Sequence, residues 1–402
     1  MAVILWFPLL GLAVSRLTGR MNLFLAGAGM NGLALFLAGV LHIPLIPTLI
    51  ALALGALVVI VRSSRARAEG RVRAADAVLA ISAIFLLATS AITPLNDFDG
   101  RAFWLLKAKA IAHEQRVDGP FFKGETAFSP RNEYPLLLPI DAATMMIGAR
   151  DLDEKQVRWL YVMFAVALAL EVRRRAGPWY GALVLWLPRI VVGGDGSAVS
   201  AYADIALGAF VACALFELAS DDADPLRCGL WLSFLALTKN EGLPFALVLL
   251  ALSAIVFRKR VLVAAAPVIA AVAALMVWRD RIQPTDDNRY FFAQIPQHLD
   301  RIGDVIVTFA RHALAFADWG VFWLAVAIAA AFLAWRRQWR PLLLGTAAIV
   351  PMLAIYFVMY LASDWITRDL VNSTAPRLLT HFIGPGMYLV AYANQQLDRR
   401  NA

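Results

Sequence analysis

Long apolar runs separated by short charged gaps constrain this chain more than any other feature of its sequence. The runs lie near residues 3–15, 23–41, 44–61, 75–95, 157–171, 180–193, 201–219, 229–239, 243–257, 261–278, 319–335, 341–361 and 379–394. A helix needs roughly 20 apolar residues to cross a hydrocarbon core about 30 Å thick. The strands of a membrane β-barrel would instead alternate apolar and polar residues over about 10 positions. The sequence therefore predicts an all-α polytopic membrane protein with about 13 transmembrane helices.

The composition agrees with this class. Hydrophobic residues make up 61% of the chain and charged residues 16%, whereas a soluble protein carries about a quarter charged residues. The net charge of +8 comes from arginines scattered over loop ends and not from one basic face, so no nucleic-acid partner is predicted. Cys213 and Cys228 lie in or beside apolar runs, and no disulfide framework is expected.

Arginine-rich gaps alternate with the other gaps and predict the orientation. They contain Arg16, Arg20, Arg62, Arg65, Arg67, Arg71, Arg73, residues 173–175, Arg227, residues 258–260, Arg336, Arg337, Arg340, Arg399 and Arg400. Short basic loops stay in the cytoplasm. We therefore expect a multi-pass protein of the bacterial cytoplasmic (inner) membrane, with its N-terminus outside and its C-terminus inside. The segment Ala2 to Val14 lacks the basic start of a signal peptide and is predicted to be a retained helix.

The remaining loops then face the periplasm or the exterior. Two are long, residues 96–158 and 279–318, and a shorter one covers residues 363–377. In the first long loop, Arg101–Gln115 is predicted to form an amphipathic juxtamembrane helix on the membrane surface, with Trp104 as its interfacial anchor. A second juxtamembrane helix is expected over residues 136–147, which are too few to cross a bilayer.

The start of the first long loop carries the densest polar pattern. Asp97 and Asp99 are followed by Trp104, Lys107 and Lys109. Two carboxylates at this spacing can share a divalent metal, or one can act as a general base. The alternative is helix N-capping by either acid. An acid, aromatic rings and a base are costly to place at the edge of a bilayer, which favours a functional role. Helical spacing predicts that Asp99, Phe103 and Lys107 share one face.

Other polar residues interrupt apolar runs on the same side. Glu133 and Tyr134 precede a proline, a pattern typical of an ordinary helix start. Asp204 begins an apolar helix, where it either faces a polar cavity or stabilises the helix dipole. Lys239 and Glu241 lie in a tight turn, where they pair with each other or hold and orient a lipid phosphate.

Arg377 precedes the last apolar run. Its guanidinium is suited to bidentate phosphate contacts, or it extends towards the membrane interface as an arginine at a helix end commonly does. The five histidines show no ligand spacing, so no zinc site is predicted.

Taken in order, these motifs resemble the GT-C superfamily of membrane glycosyltransferases, in particular bacterial branches akin to protein O-mannosyltransferases and lipid A aminoarabinose transferases. The matching pattern covers roughly residues 94–260, and more loosely Arg377. Its parts are Asp99 five residues before Trp104, the Lys107-Ala-Lys109 helix, the segment Glu133 to Pro139, Tyr202 to Asp204, and Thr238 to Gly242. Two departures are the apolar segments before the first long loop and a glutamate at position 133, where an aspartate is more usual.

The resemblance implies a GT-C-type bundle, read here as one membrane domain over residues 1–402. Residues 1–73 would be extra N-terminal helices, residues 74–260 the catalytic module, and residues 261–402 the C-terminal helices. It also implies an inverting transfer of a sugar from a polyprenyl-phosphate donor to a glycan, lipid or protein acceptor. Metal dependence is left open: either no cofactor is required, or a divalent cation such as Mg²⁺ or Mn²⁺ is held by Asp97 and Asp99.

By the same resemblance, Asp99 would be the general base, with Asp97 as the second acid of the catalytic pair. Lys239, with Arg377 or Lys107, would neutralise the lipid phosphate. The substrate-binding set that follows from the matched motifs is Trp104, Lys107, Lys109, Glu133, Tyr134, Tyr202, Asp204, Lys239, Glu241 and Arg377.

Other classes compete with this interpretation. A flippase or transporter of lipid-linked sugars would place charges at mid-membrane in two related halves, whereas the charges here cluster on one side. An O-antigen ligase or polymerase would typically depend on an arginine-rich outer loop. A purely structural membrane scaffold is the least specific alternative.

Overall fold

A computed structural model describes residues 2–63, 73–95, 97–125, 131–192, 194–284, 290–365 and 367–401. Over these ranges the regular structure is helical, apart from one isolated bridge between Tyr290 and Ser363. The predicted all-α class is therefore confirmed. Asn96 and the arginines predicted at positions 65, 67 and 71 lie outside the described residues.

The first half of the chain forms the helices up to α9. They are α1 (Trp6–Thr18), α2 (Leu23–Val40), α3 (Leu45–Arg62), α4 (Ala74–Ile92), a π-helical segment (Gly100–Leu105), α5 (Leu106–Glu114), α6 (Leu137–Ala149), α7 (Arg158–Ala176), α8 (Pro178–Trp186) and α9 (Pro188–Val191). The two helices predicted in the first long loop are present, as the π-helical segment with α5 and as α6.

The second half adds the central and C-terminal helices. They are α10 (Asp204–Ala219), α11 (Pro225–Ala236), α12 (Gly242–Phe257), α13 (Val261–Arg279), α14 (Ile302–Ala313), α15 (Phe316–Trp319), α16 (Phe322–Trp335), α17 (Trp339–Ala362), α18 (Thr367–Thr380) and α19 (Ile383–Asn401), with a 3₁₀ segment (Phe292–Arg301) before α14. Each predicted apolar run overlaps at least one helix; the run 180–193 is divided between α8 and α9, and the run 379–394 begins at the end of α18.

Membrane-spanning character is clearest in the long apolar helices. Among the described residues, five helical stretches are long and apolar enough to cross a bilayer: Leu23–Val40, Leu45–Arg62, Ala74–Ile92, Gly242–Arg279 and Trp339–Ala362. Only 11% of the span in α3 and 22% of that in α4 is buried. Because soluble monomers rarely expose such large apolar faces, these helices indicate a membrane protein. The count of 13 spanning helices stays a prediction.

Helix α10 lies at the centre of the bundle and is buried along its length. It packs against α7, α11, α12 and α19. At its C-terminal end, buried Glu217 accepts from Arg227 at 2.8 Å and pairs with Arg175 at 3.4 Å. Arg227 also donates to the carbonyl of Thr18 at 3.3 Å. These contacts bring several of the predicted basic gaps to one end of the bundle; the orientation in a membrane stays a prediction.

Helices α1 and α2 cross at two glycines. A Cβ built on Gly11 would lie 1.7 Å from the carbonyl oxygen of Leu23, and one on Gly27 would lie 1.7 Å from that of Phe7. Such small residues let the backbones of membrane helices approach closely. No side chain fits at either position unless the helices move apart.

We expect the substitution Gly27→Ala to destabilise the protein by about 1–3 kcal/mol, as overpacking of a close contact does. The matched control is Gly55→Ala in α3, where an added Cβ meets nothing within 4 Å and helix propensity improves. Thermal midpoints of the purified variants in detergent provide the measurement. Equal midpoints for the two variants would contradict the close crossing of α1 and α2.

Candidate functional site

A polar cavity of about 550 Å³ opens at the end of the bundle opposite Glu217. Helix α10 connects the two ends of the bundle. Asp204 in its first turn contacts Lys239, which lines the cavity, and Glu217 lies near its C-terminus. The wall is formed by Phe98, Asp99, Phe103, Trp104, Arg131, Tyr134, Asp195, Tyr202, Lys239, Glu241, Tyr290, Trp365, Leu370, Ser373, Thr374 and Arg377. Most residues predicted from the motifs thus come together here.

Asp99 enters the cavity just before the π-helical segment. Gly100 fits tightly here, since a Cβ on it would lie 2.5 Å from the carbonyl oxygen of Ser200. The Asp99 Oδ2 atom accepts a hydrogen bond of 2.7 Å from Nη1 of Arg377, whose guanidinium lies 4.9 Å from the centre of the Tyr202 ring. Segments almost 280 residues apart in sequence therefore form one charged site. π-Helical turns are frequent at functional sites.

A second charged group lies deeper. Lys239 Nζ is 2.9 Å from Oδ1 of Asp204 and 3.0 Å from Oε1 of Glu241. The side chains of Lys239 and Asp204 are only 9% and 1% exposed. Asp204 also occupies the first turn of α10, where an acid is stabilised by the helix dipole. It therefore serves the helix terminus and pairs with the lysine at the same time.

His381 and Tyr356 were not predicted from the sequence. His381 lies in the break between α18 and α19, with Nε2 3.0 Å from Oδ1 of Asp204 and Nδ1 2.7 Å from the Tyr356 hydroxyl. Both side chains are buried. A lone histidine in an apolar stretch carries no sequence signal, and its carboxylate partner lies 177 positions away.

An apolar cavity of about 270 Å³ adjoins the polar one. The two share Lys239, Glu241, Arg377 and several neighbours. The rest of the apolar cavity is lined mainly by α17, α18 and the start of α12, with Pro244, Met352, Ile355, Tyr356, Met359, Tyr360 and Leu378 among its residues. Lys239 and Arg377 thus lie at the junction between an apolar and a polar space.

Three predicted residues of the first long loop lie differently from expectation. Lys107 is buried beside the ring of Tyr134 and donates to the carbonyl of Arg131, and burial lowers its pKa to about 7. Lys109 pairs with Glu154 at 2.7 Å and lines a separate surface groove. Trp104 is 3% exposed and packs against Tyr134. Its predicted role as an interfacial anchor is therefore wrong, because an anchor must reach the membrane surface.

Glu133 also lies outside the polar cavity. Its carbonyl accepts from Arg279 at 3.0 Å. Glu133 lines a separate small cavity, together with Asn240 and Arg279. Tyr134, the next residue, does reach the polar cavity.

Asp97 is hydrogen-bonded to the carboxyl group of Asp195, and the negative charge of Asp99 also acts on it. Burial, then the hydrogen bond and negative charge of Asp195, raise the pKa of Asp97 to about 6. Asp99 instead faces Arg377. The described part of the chain contains no group of three or more His, Cys, Asp or Glu residues arranged to hold a metal. Metal dependence, with Asp97 and Asp99 as the ligands, stays an untested prediction.

The chain matches no protein-family model, no curated protein and no solved structure. The fold and the site define a helical membrane protein with a charged cavity that continues into an apolar one. The GT-C resemblance stays a prediction from motifs.

The raised pKa of Asp97 predicts a pH dependence of stability. In the folded protein the pKa of Asp97 is raised from 3.8 to about 6, so the native state binds this proton more tightly than the unfolded state. The resulting stabilisation is complete below pH about 4 and is lost as the pH rises through about 6. Thermal midpoints between pH 4 and 7, compared for wild type and Asp97→Asn, measure it. Asp97→Asn should lack this step, and Asp195→Asn should reduce it, because burial still raises the pKa of Asp97 when the second carboxyl group is gone. Parallel curves for wild type and Asp97→Asn would contradict the raised pKa.

Proposed function

We propose that the protein is an integral-membrane glycosyltransferase that moves a sugar from a polyprenyl-phosphate donor to a hydroxyl group of a glycan, lipid or protein acceptor. One observation supports this most directly. Lys239 and Arg377 lie where the apolar cavity meets the polar cavity that contains Asp99. A polyprenyl-phosphate sugar presents an apolar chain, an anionic phosphate and a polar sugar in the same order. By the positive-inside pattern, the reaction would occur on the periplasmic or extracellular face.

The donor phosphate would be held by the two cations at the junction. Arginine binds phosphate through two parallel hydrogen bonds, and lysine acts as a point charge. The carboxylates of Asp204 and Glu241 keep the Lys239 ammonium in place. Tyr202, Trp104 and Tyr134 would line the sugar and acceptor side of the cavity.

Asp99 would act as the general base. It takes the proton of the acceptor hydroxyl, whose oxygen forms a bond to the anomeric carbon while the bond from that carbon to the phosphate oxygen breaks. The electron pair leaves with the phosphate, and a single displacement inverts the anomeric centre. Negative charge grows on the phosphate during the step, and Lys239 and Arg377 would stabilise it.

The pairing of Asp99 with Arg377 fits this scheme. A donor phosphate would compete with the carboxylate for the same guanidinium, which donates to Asp99 Oδ2 at 2.7 Å. Donor binding would then release Asp99 towards the acceptor. This order of events links the binding of the donor to the availability of the base.

We expect the substitution Asp99→Asn to lower transfer by about 10²–10⁴-fold, the usual contribution of a general base. Purified protein in nanodiscs would be assayed with radiolabelled polyprenyl-phosphate sugars, with and without EDTA. Asp304→Asn in α14, an exposed acid outside the polar cavity, is the matched control. Sugar transfer by wild type that is retained in Asp99→Asn would refute the role of Asp99. Binding of the donor by wild type without turnover would favour a transporter.

We further expect Arg377→Lys to weaken binding of undecaprenyl phosphate by about 10-fold, because lysine cannot make the bidentate contact. The charge is retained, so Asp99 keeps a cationic partner and the protein should fold. Arg311→Lys on the exposed side of α14 is the control. The measurement is the dissociation constant of undecaprenyl phosphate in nanodiscs. An unchanged value in Arg377→Lys would refute the role of Arg377 in binding the phosphate.

A further inference from the structure

The break between α18 and α19 holds a buried histidine that the proposed reaction does not use. We propose that His381 is a positioning residue: it fixes the carboxylate of Asp204, and through it the ammonium group of Lys239, at the junction of the two cavities. Tyr356 fixes the imidazole in turn. The inference depends on the proposed function only in taking Lys239 as the group that meets the donor phosphate.

The hydrogen bonds define one tautomer of His381. Asp204, beside the ammonium of Lys239, accepts hydrogen bonds, so Nε2 of the imidazole must donate to it at 3.0 Å. In the neutral ring Nδ1 is then an acceptor, and the hydroxyl of Tyr356 donates to it at 2.7 Å. Each polar atom of the imidazole therefore has one defined partner, as in the sites where a second group orients a functional histidine or carboxylate.

One oxygen of Asp204 carries both contacts. Oδ1 accepts from His381 at 3.0 Å and from Lys239 at 2.9 Å. Oδ2 is buried and has no hydrogen-bond partner among the described residues. Without His381 the carboxylate could rotate and offer Lys239 either oxygen. The imidazole thus selects the oxygen that the lysine uses, and with it the position of the ammonium group.

The backbone holds His381 at this distance. A Cβ on Gly208 would lie 2.8 Å from the carbonyl oxygen of Thr380, so α10 and the end of α18 are in direct contact. Arg377 lies one turn earlier and reaches Asp99. The C-terminal end of α18 therefore aligns two contacts at once, one to the proposed base and one to the carboxylate that holds Lys239.

Tyr356 connects this arrangement to the apolar cavity. Its side chain belongs to the wall of that cavity, and its hydroxyl is the hydrogen-bond partner of His381. The chain of contacts runs from Tyr356 through His381 and Asp204 to Lys239. An apolar chain bound beside Tyr356 would thus lie against the same network that positions the ammonium group for the phosphate.

The test compares three variants in nanodiscs with undecaprenyl phosphate as the probe. His381→Leu removes both hydrogen bonds, His381→Gln keeps an N–H group near the position of Nε2, and Tyr356→Phe removes only the hydroxyl. We expect His381→Leu to weaken binding of the probe by about 10-fold and His381→Gln to restore most of it. In the transfer assay, KM for the donor should rise more than kcat falls. The affinity of Tyr356→Phe for the probe should lie between those of wild type and His381→Leu.

Thermal midpoints separate this effect from simple unfolding. A folded His381→Leu protein that binds the probe like wild type would overturn the proposal, and so would a His381→Gln protein that binds no better than a leucine variant of equal stability. If His381→Leu does not fold, Tyr356→Phe takes its place, and unchanged binding by that variant would overturn the proposal.

A spectroscopic measurement distinguishes failure of this inference from failure of the proposed function. ¹⁵N NMR of protein labelled at histidine should show one buried neutral imidazole protonated at Nε2, assigned by its loss in His381→Gln. Its signals should shift in Asp204→Asn. A different tautomer, or histidine signals that are unchanged in Asp204→Asn, would refute the arrangement even if the protein is active. If the expected signals are present but the protein neither binds the probe nor transfers sugar, only the proposed glycosyltransferase function is refuted.

Discussion

The buried ion pair between Asp204 and Lys239 is the interaction on which the arrangement of the site depends. Removing two charges from water costs several kcal/mol for each ion, and their attraction offsets this only if the remaining polar atoms are also satisfied. Glu241 and His381 supply further contacts to the pair, whereas Oδ2 of Asp204 has no hydrogen-bond partner among the described residues. As a result the start of α10, the turn before α12 and the break after α18 are held together by one network.

Buried acids are paired with cations at both ends of α10. Its first turn carries Asp204, and its last turns carry Glu217, with only apolar or small side chains between them. Lys239 pairs with the first acid, and Arg227 and Arg175 pair with the second. A shift of α10 by one turn would separate both acids from their partners and leave buried charges unpaired, which is strongly destabilising. Both pairs therefore disfavour such a shift.

The sequence predicted the helices well because membrane thickness dictates the length of an apolar run. It also indicated that Lys239 and Glu241 pair with each other or hold a phosphate, and it singled out Asp204 separately; the contact between Asp204 and Lys239 was not predicted. The placement of Lys107 failed because the prediction assumed regular α-helical spacing. The π-helical segment over Gly100–Leu105 hydrogen-bonds from residue i to i+5 and so rotates the following helix. Contacts such as Arg377 with Asp99 and His381 with Asp204 depend on the path of the whole chain, which local spacing does not encode.

The balance of charge in the polar cavity constrains any ligand that binds there. Lys239 lies between two carboxylates, and Arg377 is paired with Asp99. A phosphate that enters must share these cations with their carboxylates, which lowers the affinity that two free cations would provide. Under the proposed function the lower affinity accompanies a functional step, because the phosphate that binds Arg377 releases Asp99, the proposed base. The Lys239 pair, by contrast, is fixed by His381 and would stay intact, so one cation would respond to the donor while the other keeps its place.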